Sequence, residues 1–599
     1  MQKVSPLPPA PPLSLSLSQL NDPSHFFVSL NKPPSLHIYN HQTVHSFQLI
    51  PHSSSILSSS NISASASASA HSLFGQPLDE QQLHKQPQNS YNMSAASKHD
   101  NNNRSCLSRH KWKISILAFI LIAVAVAVPL AILKPWDKNS SNSSSNNSHN
   151  GNNQPTGPVT PTNPGPIPPT TPVLPSKNDT ARPNAYTPPL NEPFDYATGK
   201  MKMRGVNLGG WLVLEPFISP SLFEPYIKQG VIDEWTLWPE KAKAHLEAHY
   251  SSWVTEDTFS RLQGMGINHV RIPIGFWALG GLTADEPYVP TLSWTYLLRG
   301  IEWARKYGIR VMVELHAAPG SQNGWNHSGR LGAINWINGT EGIANAQRTL
   351  PYLQQLATFF SGPDYAHVAP IMGLLNEPAA HLIGVDPVKT WYTQAMSVVR
   401  AATGAGEGKG PWAIIHDGMV GLNAWAGFLP SGDRVMLDTH QYIMFNDDLM
   451  RMNQTTQLKF ACETWGGSMI TSTKEFGPTM VGEFSVAVND CATYLNGIGA
   501  GYRWDGTYNG APPKSPNSTC TNENNASTYT PEYKKFLSNY FLAQIEAFEQ
   551  GAGWFYWNFK TENNPLWSYF AGVEGGWIPK DVNNHGASYC ASAGYKFSG

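Results

Sequence analysis

From about residue 190, short apolar runs alternate with stretches of helical periodicity, and this alternation constrains the fold more than any other feature. Eight strands with intervening helices over roughly 400 residues predict an α/β fold of the (β/α)8 TIM barrel type. The predicted strands are Met203–Leu208, His269–Ile274, Arg310–Leu315, Ile371–Leu375, Trp412–His416, Val435–Thr439, Thr479–Gly482 and Gly553–Trp557. The predicted helices are Glu256–Gln263, Trp294–Lys306, Asn345–Phe359, Pro387–Ala401 and Glu532–Gln550.

Polar residues recur at the C-terminal end of almost every predicted strand, which is where barrel enzymes place their sites. This recurrence favours the barrel over a doubly wound open sheet. One such residue alone is more often structural than catalytic, but a convergence of all of them is hard to explain by packing, because each buried polar group needs a partner. They are Asn207, Arg271, His316, Asn376 with Glu377, His416 with Asp417, His440 with Tyr442, Glu483 and Trp557.

Two of the predicted strands lead directly into a glutamate. Ile371–Leu375 stops at Asn376-Glu377-Pro378, and proline cannot continue a central strand, so Glu377 should lie where a buried strand meets its loop. Desolvation there would raise its carboxyl pKa and let it act as an acid near neutral pH. Thr479–Gly482 runs into Glu483 in the same way. Two such carboxylates suggest bond cleavage by an acid and a nucleophile.

Composition excludes some partners and leaves one question open. The formal net charge of -2 gives no reason to expect nucleic-acid binding. The 20 tryptophans concentrate after residue 190, which fits either a large aromatic core or a cleft in which indoles stack on sugar rings. The histidines and carboxylates could bind zinc, but the chain has no H-E-x-x-H pair, so we expect neither a metal nor another cofactor.

The chain before the barrel divides into three predicted segments. Residues 1–113 are rich in Ser, Pro, Asn and Gln and are predicted to be a disordered tail. Residues 114–133 are almost wholly apolar and match the thickness of a bilayer core, although a buried soluble helix is the alternative. Basic residues precede this segment, so it is predicted to be a signal anchor with the tail in the cytoplasm. Residues 134–189 are predicted to form an extracellular stalk, with sequons at Asn139, Asn142, Asn146 and Asn178.

Five segments of residues 190–599 carry a resemblance to a known family. Arg204–Pro216, His269–Ile274, Glu314–Gly324, Leu375–Pro378 and Val481–Phe484 together resemble fungal exo-β-1,3-glucanases of glycoside hydrolase family 5, clan A. With the anchor, the whole chain is similar to the membrane-anchored members of that family. The resemblance implies a single-pass type II plasma-membrane protein whose catalytic domain faces the cell wall.

The resemblance also implies roles for individual residues. Glu377 would be the general acid/base and Glu483 the nucleophile of a retaining reaction, which needs the two carboxyl groups about 5–5.5 Å apart. Arg271 and Tyr442 would lie near Glu483 and favour its anion, and His440 would orient it. The remaining implied sugar contacts are Asn376 and His316 at the cleavage site, Glu215 on the terminal sugar, Trp557 as a stacking floor, and Trp325 with Phe445 as an entrance clamp.

One position departs from the family pattern. Where members often have aromatic-Asp-Asn-Ser-Gly, this chain has Trp325-Asn326-His327-Ser328-Gly329. The change creates a sequon at Asn326 beside the expected pocket, and we expect it to be unoccupied because a glycan would crowd the entrance.

Four cysteines follow residue 460, and an oxidising compartment would permit two bridges in any of three pairings. The resemblance suggests Cys462 with Cys590 and Cys491 with Cys520.

The function implied is release of glucose from the non-reducing ends of β-1,3-glucan with retention of anomeric configuration. Long loops at Leu212–Trp253 and Val486–Thr530 favour a closed pocket. Cleavage of β-1,6-glucan, endo cleavage and transfer to another glucan remain open. So do two non-enzymatic functions, a wall-glucan-binding anchor and a receptor with a barrel ectodomain.

Overall fold

The computed structural model describes residues 179–237, 239–430, 432–510 and 512–598. The tail, the anchor at 114–133 and most of the stalk lie outside these described residues. Within the described ranges, no helix combines the length and the apolar character needed to cross a membrane.

Eight parallel strands close into a barrel in chain order, which confirms the predicted (β/α)8 TIM barrel. Closure is explicit at the seam, where the last strand pairs with the first and Met203 lies opposite Gly553. The strands are β1 Met203–Asn207, β2 His269–Gly275, β3 Arg310–Ala317, β4 Ile371–Gly373, β5 Trp412–His416, β6 Val435–Gln441, β7 Thr479–Phe484 and β8 Gly553–Tyr556.

All five predicted helices are present; the helix predicted from Asn345 begins six residues earlier, at Gly339, and the one predicted to end at Gln550 ends at Phe548. The helix at Glu256–Gly264 begins at Thr255, whose backbone N–H donates to the Thr258 hydroxyl in a capping box. The described α-helices are Pro239–Trp253, Glu256–Gly264, Leu292–Tyr307, Gly339–Phe360, Ala380–Ile383, Val385–Thr403, Asp447–Arg451, Gln454–Phe460, Gly466–Glu475, Pro531–Phe548, Tyr569–Gly575 and Tyr589–Ser592.

The prediction of a long loop over the whole of Leu212–Trp253 is wrong for its last 15 residues. Its second part is the helix Pro239–Trp253. Among its described side chains, from Lys243 onward, Leu246, Tyr250 and Trp253 form the buried apolar stripe, at spacings of one and two turns. This stripe is too sparse to distinguish the helix from the surrounding polar sequence.

Most of the tryptophans that the structure describes are core residues, which answers the question that composition left open. Seven of them are at most 1% exposed and pack between the strands and helices, whereas Trp325, Trp557 and Trp567 line the cavity at the mouth of the barrel. The seven are Trp211, Trp277, Trp294, Trp336, Trp425, Trp554 and Trp577.

The segment before β1 covers the N-terminal end of the barrel. The guanidinium of Arg310, at the start of β3, donates to the carbonyls of Pro188, Pro189 and Glu192. Residues 179–189, assigned to the stalk from sequence, therefore contact the barrel, and the folded domain begins before residue 190.

Both disulfides have the pairing that the resemblance suggested. Cys462 bonds Cys590 and ties the C-terminal helix to the helical segment before β7, while Cys491 bonds Cys520 within the loop after β7.

Replacing Cys462 and Cys590 together with serine is expected to lower the free energy of unfolding by about 4 kcal/mol, because a bridge across 128 residues removes much entropy from the unfolded chain. Denaturant unfolding of the purified domain measures the loss. The matched control replaces Cys491 and Cys520, which close only 29 residues and should contribute about 1 kcal/mol less. A larger loss from the control pair would contradict the chain-entropy argument.

Candidate active site

The C-terminal ends of the strands surround a cavity of about 430 Å³. Its walls come from the residues that follow seven of the eight strands, so side chains line it around most of the barrel mouth. They include Glu215 and Phe217 after β1, Trp325 and His327 after β3, His381 after β4, Asp417 and Met419 after β5, Tyr442 and Phe445 after β6, Leu495, Arg503 and Tyr508 after β7, and Trp557 and Trp567 after β8.

Glu377 follows β4 in an unusual backbone conformation. Its φ of 41° lies in the left-handed region, which costs free energy for a residue with a side chain and is found mostly where a site requires it. The side chain lines the cavity and is only 9% exposed.

Glu483 lies within β7, next to a close approach of two strands. A Cβ on Gly482 would lie 2.2 Å from the Asp438 carboxylate of β6, and the Gly482 N–H donates to that carboxylate at 2.6 Å. The register between β6 and β7 shifts just before His440, which places His440 opposite Glu483. Gly482 and this register shift together place the side chains of His440 and Glu483 side by side at the mouth of the barrel.

A buried arginine holds Glu483 from beneath. Arg271 donates through Nη1 to Glu483 Oε1 at 2.7 Å and through Nη2 to Glu314 Oε1 at 2.5 Å. The same guanidinium also bonds the Asn207 and Asn376 side chains. Burial opposes its charge, but Glu314 and Glu483 outweigh that and raise the pKa of Arg271. Tyr442 donates to the other oxygen of Glu483 at 3.0 Å, so both oxygens are fixed.

His440 lies between the two glutamates. Its Nδ1 is 2.6 Å from Glu377 Oε1 and 3.4 Å from Glu483 Oε2. Glu377 Oε1 and Glu483 Oε2 can therefore be no farther apart than the sum of these two distances. That sum is shorter than about 6.5 Å, the smallest separation of the two carboxyl groups in inverting glycosidases. Sequence reasoning placed His440 beside the nucleophile, but its shorter contact is with Glu377.

The protonation of this group differs from the sequence-based expectation. Burial alone would raise the pKa of Glu377, but the hydrogen bond and charge of His440 lower it below its usual range. Burial likewise disfavours a charged His440, but Glu483 and Asp438 raise its pKa well above 6.5. Glu377 and His440 therefore hold one proton as a pair, and the two pKa shifts favour the imidazole as its location. Burial raises the pKa of Glu483, which His440 and Arg271 partly offset.

Three other predicted residues lie around this pair. His316 Nδ1 is 2.9 Å from Glu314 Oε2, which orients its ring, and its Nε2 is 3.4 Å from the Asn376 amide nitrogen. The His316 and Trp557 rings are nearly parallel, with centroids 5.7 Å apart. These side chains form one continuous polar and aromatic surface in the cavity.

Glu215 lies in the β1 loop with its carboxyl inside the cavity. It is 3% exposed, and its Oε1 has no hydrogen-bond partner among the described residues. Burial and the charge of Glu483 raise its pKa well above 4.5. A ligand with hydroxyl donors would satisfy this carboxyl.

Trp325 and Phe445 lie at the rim. Both line the cavity, and Phe445 is among the most exposed large apolar residues at 37%. Asn326 of the predicted sequon lines it too, and its glycosylation remains a prediction.

Sequence reasoning missed Glu314, Asp438 and His327 as parts of the site. Glu314 and Asp438 each precede a predicted histidine by two residues on the same strand, and side chains two apart share a face. That spacing was a usable signal. His327 lies in a short turn at Asn326–Ser328, for which strand periodicity gives no signal.

Glu377, His416 and His440 could offer three metal ligands within 4.8 Å of one another. However, His416 Nδ1 accepts the Gly418 N–H, so the neutral imidazole has its proton on Nε2. That nitrogen is not a free ligand, and we assign no metal to the group.

Comparison with known proteins agrees with this geometry. Residues 239–497 match a family model described as Cellulase (glycosyl hydrolase family 5). The chain is similar to proteins named probable glucan 1,3-beta-glucosidase D, including that of Aspergillus clavatus, at 44% identity over 419 residues, 67% of this chain and 50% of the relative. The Aspergillus terreus protein of that name is 44% identical over 421 residues, 67% of this chain and 49% of the relative. The chain therefore spans about half the length of these relatives.

Proposed function

We propose that this chain, whose barrel domain belongs to glycoside hydrolase family 5, releases glucose from the non-reducing ends of β-1,3-glucan with retained configuration. The observation that best supports retention is that His440 Nδ1 contacts both Glu377 and Glu483, which places the two carboxyl groups close together. A pair that close leaves no room for a water between sugar and carboxylate, so the second carboxylate attacks directly.

In the first step, Glu483 bonds the anomeric carbon while Glu377 protonates the departing glycosidic oxygen. Arg271 and Tyr442 fix both oxygens of Glu483, so the attacking group loses little freedom on reaction. For this step the shared proton lies on Glu377 Oε2, and His440, then neutral, still donates its Nδ1–H to Oε1.

In the second step, Glu377 accepts a proton from water, and that water displaces the sugar from Glu483. Formation of the ester removes the negative charge of Glu483 beside Glu377. That loss favours the ionised form of Glu377, which is the form that acts as a base.

The enclosed shape of the cavity supports attack at chain ends. Walls after seven strands leave little path for a polymer to pass through, and Glu215 provides a polar group for the terminal sugar. The names of the relatives support a β-1,3 linkage.

Product analysis on laminarin tests the proposal. We expect glucose as the sole early product, appearing first as the β-anomer by proton NMR. Oligosaccharides among the early products would indicate endo cleavage, and products longer than the substrate would indicate transfer to another glucan. Activity on pustulan but not on laminarin would indicate a preference for β-1,6 linkages. Binding without any product would favour a wall-binding anchor or receptor.

Glu215→Ala is expected to lower kcat/KM on laminarin about 100-fold, because a buried carboxyl group that hydrogen-bonds the terminal sugar is lost. Steady-state glucose release measures it. Glu224→Ala removes an exposed carboxylate from the same loop and is the matched control. Equal effects of the two variants would contradict the role of Glu215.

We also propose that residues 114–133 anchor the protein in the plasma membrane with the barrel outside, facing the wall. The two disulfides support an oxidising compartment for the barrel. Resistance of the protein to carbonate extraction and cleavage of the barrel by protease on intact protoplasts would support it. Release by carbonate would contradict it.

A further inference from the structure

His327 lies beside the oxygen of the Glu377 carboxyl group that His440 does not contact. Its Nε2 is 3.5 Å from Glu377 Oε2, and its side chain is 19% exposed. The ring lies between the rings of Trp325 and His316, at centroid distances of 5.3 Å and 5.7 Å.

The turn that holds His327 is fixed by buried hydrogen bonds. The Ser328 hydroxyl bonds the Ser321 hydroxyl at 2.6 Å and the Trp325 carbonyl at 2.7 Å. A Cβ on Gly329 would lie 2.7 Å from the Trp277 ring, so the following residue is closely packed as well. The imidazole is therefore held near Glu377 by its own backbone.

The two oxygens of Glu377 have different neighbours. Oε1 is engaged by His440 Nδ1 at 2.6 Å, which leaves Oε2 to meet a glycosidic oxygen. His327 lies beside Oε2. At 3.5 Å its contact is longer than a strong hydrogen bond, and such contacts often shorten in the reacting complex.

We propose that His327 is a positioning residue for the acid/base, donating its Nε2–H to Glu377 Oε2 when that oxygen has lost its proton. This inference rests on the proposed function. His327 keeps its proton throughout: Glu377 gives a proton to the leaving oxygen in the first step and takes one from water in the second. The donated hydrogen bond stabilises the carboxylate between the two steps and holds it in place for the incoming water.

The charge state of His327 suits this role. Burial lowers its pKa to about 4, and Glu377 only partly offsets that, so the ring is a neutral donor at working pH. The other charged or titratable groups that face Glu377 are Glu215, Arg271, His316, His381, His416, His440, Tyr442 and Glu483. The role of His327 can be separated from theirs because, among the described ion pairs, it alone contacts Glu377 Oε2.

The test compares His327→Leu, which removes the donor, with His327→Gln, which retains an N–H donor. On laminarin, we expect His327→Leu to lower kcat about tenfold and to move the alkaline limb of kcat/KM upward by about half a pH unit. Formation of the glycosyl-enzyme from 2,4-dinitrophenyl β-glucoside, whose leaving group needs no acid, should change less than about twofold in single-turnover measurements. His327→Gln should recover most of the laminarin activity and the wild-type pH profile.

His367→Leu is the control, since His367 is exposed and bonds Asp179 at the far end of the barrel. Equal losses on both substrates with an unmoved pH profile would show that His327 only supports the fold and would overturn the proposal. Nitrogen-15 NMR of histidine-labelled wild-type protein gives a test that needs no folded variant, with a neutral Nε2–H tautomer expected. A neutral Nδ1–H tautomer would overturn it, even if laminarin proved not to be the substrate.

Discussion

Glu483→Gln is expected to abolish glucose release from laminarin, with kcat falling at least about 1,000-fold, because an amide cannot form the bond to the anomeric carbon. The fold should survive, since Arg271 keeps its bonds to Glu314, Asn207 and Asn376. Laminarin binding should also survive, because the walls of the cavity are unchanged. Calorimetry on the variant and glucose assays on the same preparation separate binding from turnover.

Azide rescue of Glu483→Ala sharpens this test. Azide is small enough to enter the space left by the carboxylate and attack the anomeric carbon of an activated glucoside. The product should be α-glucosyl azide, which has inverted configuration, because azide attacks from the face that Glu483 occupied. Hydrolysis of laminarin by either variant at the wild-type rate would end the two-carboxylate mechanism.

Glu377→Ala is expected to show a split between substrates. Laminarin hydrolysis should fall about 10²- to 10⁴-fold, the usual contribution of a positioned acid. Glycosyl-enzyme formation from 2,4-dinitrophenyl β-glucoside should persist, and the second step should become rate-limiting because no base activates water. Azide should accelerate that second step and give β-glucosyl azide, the opposite anomer from the Glu483→Ala product. An equal loss on both glucosides in burst measurements would contradict an acid/base role.

The pH profile gives a further check on this residue. Carboxylates raise the pKa of His440 above 6.5 against the effect of burial, so the proton shared with Glu377 is present at neutral pH and is lost as pH rises through the raised value. The alkaline limb of kcat/KM should therefore lie above pH 6.5 in wild type and should be absent in Glu377→Ala. An alkaline limb below that value would mean that another group supplies the proton.

Strand positions and the two glutamates were predictable because both depend on local pattern. An apolar run that ends at Asn376-Glu377-Pro378 leaves little choice of geometry, and closure of the barrel then brings Glu483 to the same mouth. The location of the proton was not predictable. It depends on the contact between His440 of β6 and Glu377, and on the register shift between β6 and β7. No residue of β6 predicts that shift. The helix Pro239–Trp253 was not predictable for a similar reason, because the burial of its short apolar stripe depends on contacts with residues distant in sequence.

The segment that covers the N-terminal end of the barrel also fixes where the preceding chain joins the domain. Arg310 binds this segment at the end of the barrel opposite the mouth, so the chain before Asp179 is attached at the rear of the domain. If that chain leads to the proposed membrane anchor, it joins the domain on the side opposite the pocket. The chain would then not lie across the opening through which free glucan ends reach Glu377 and Glu483.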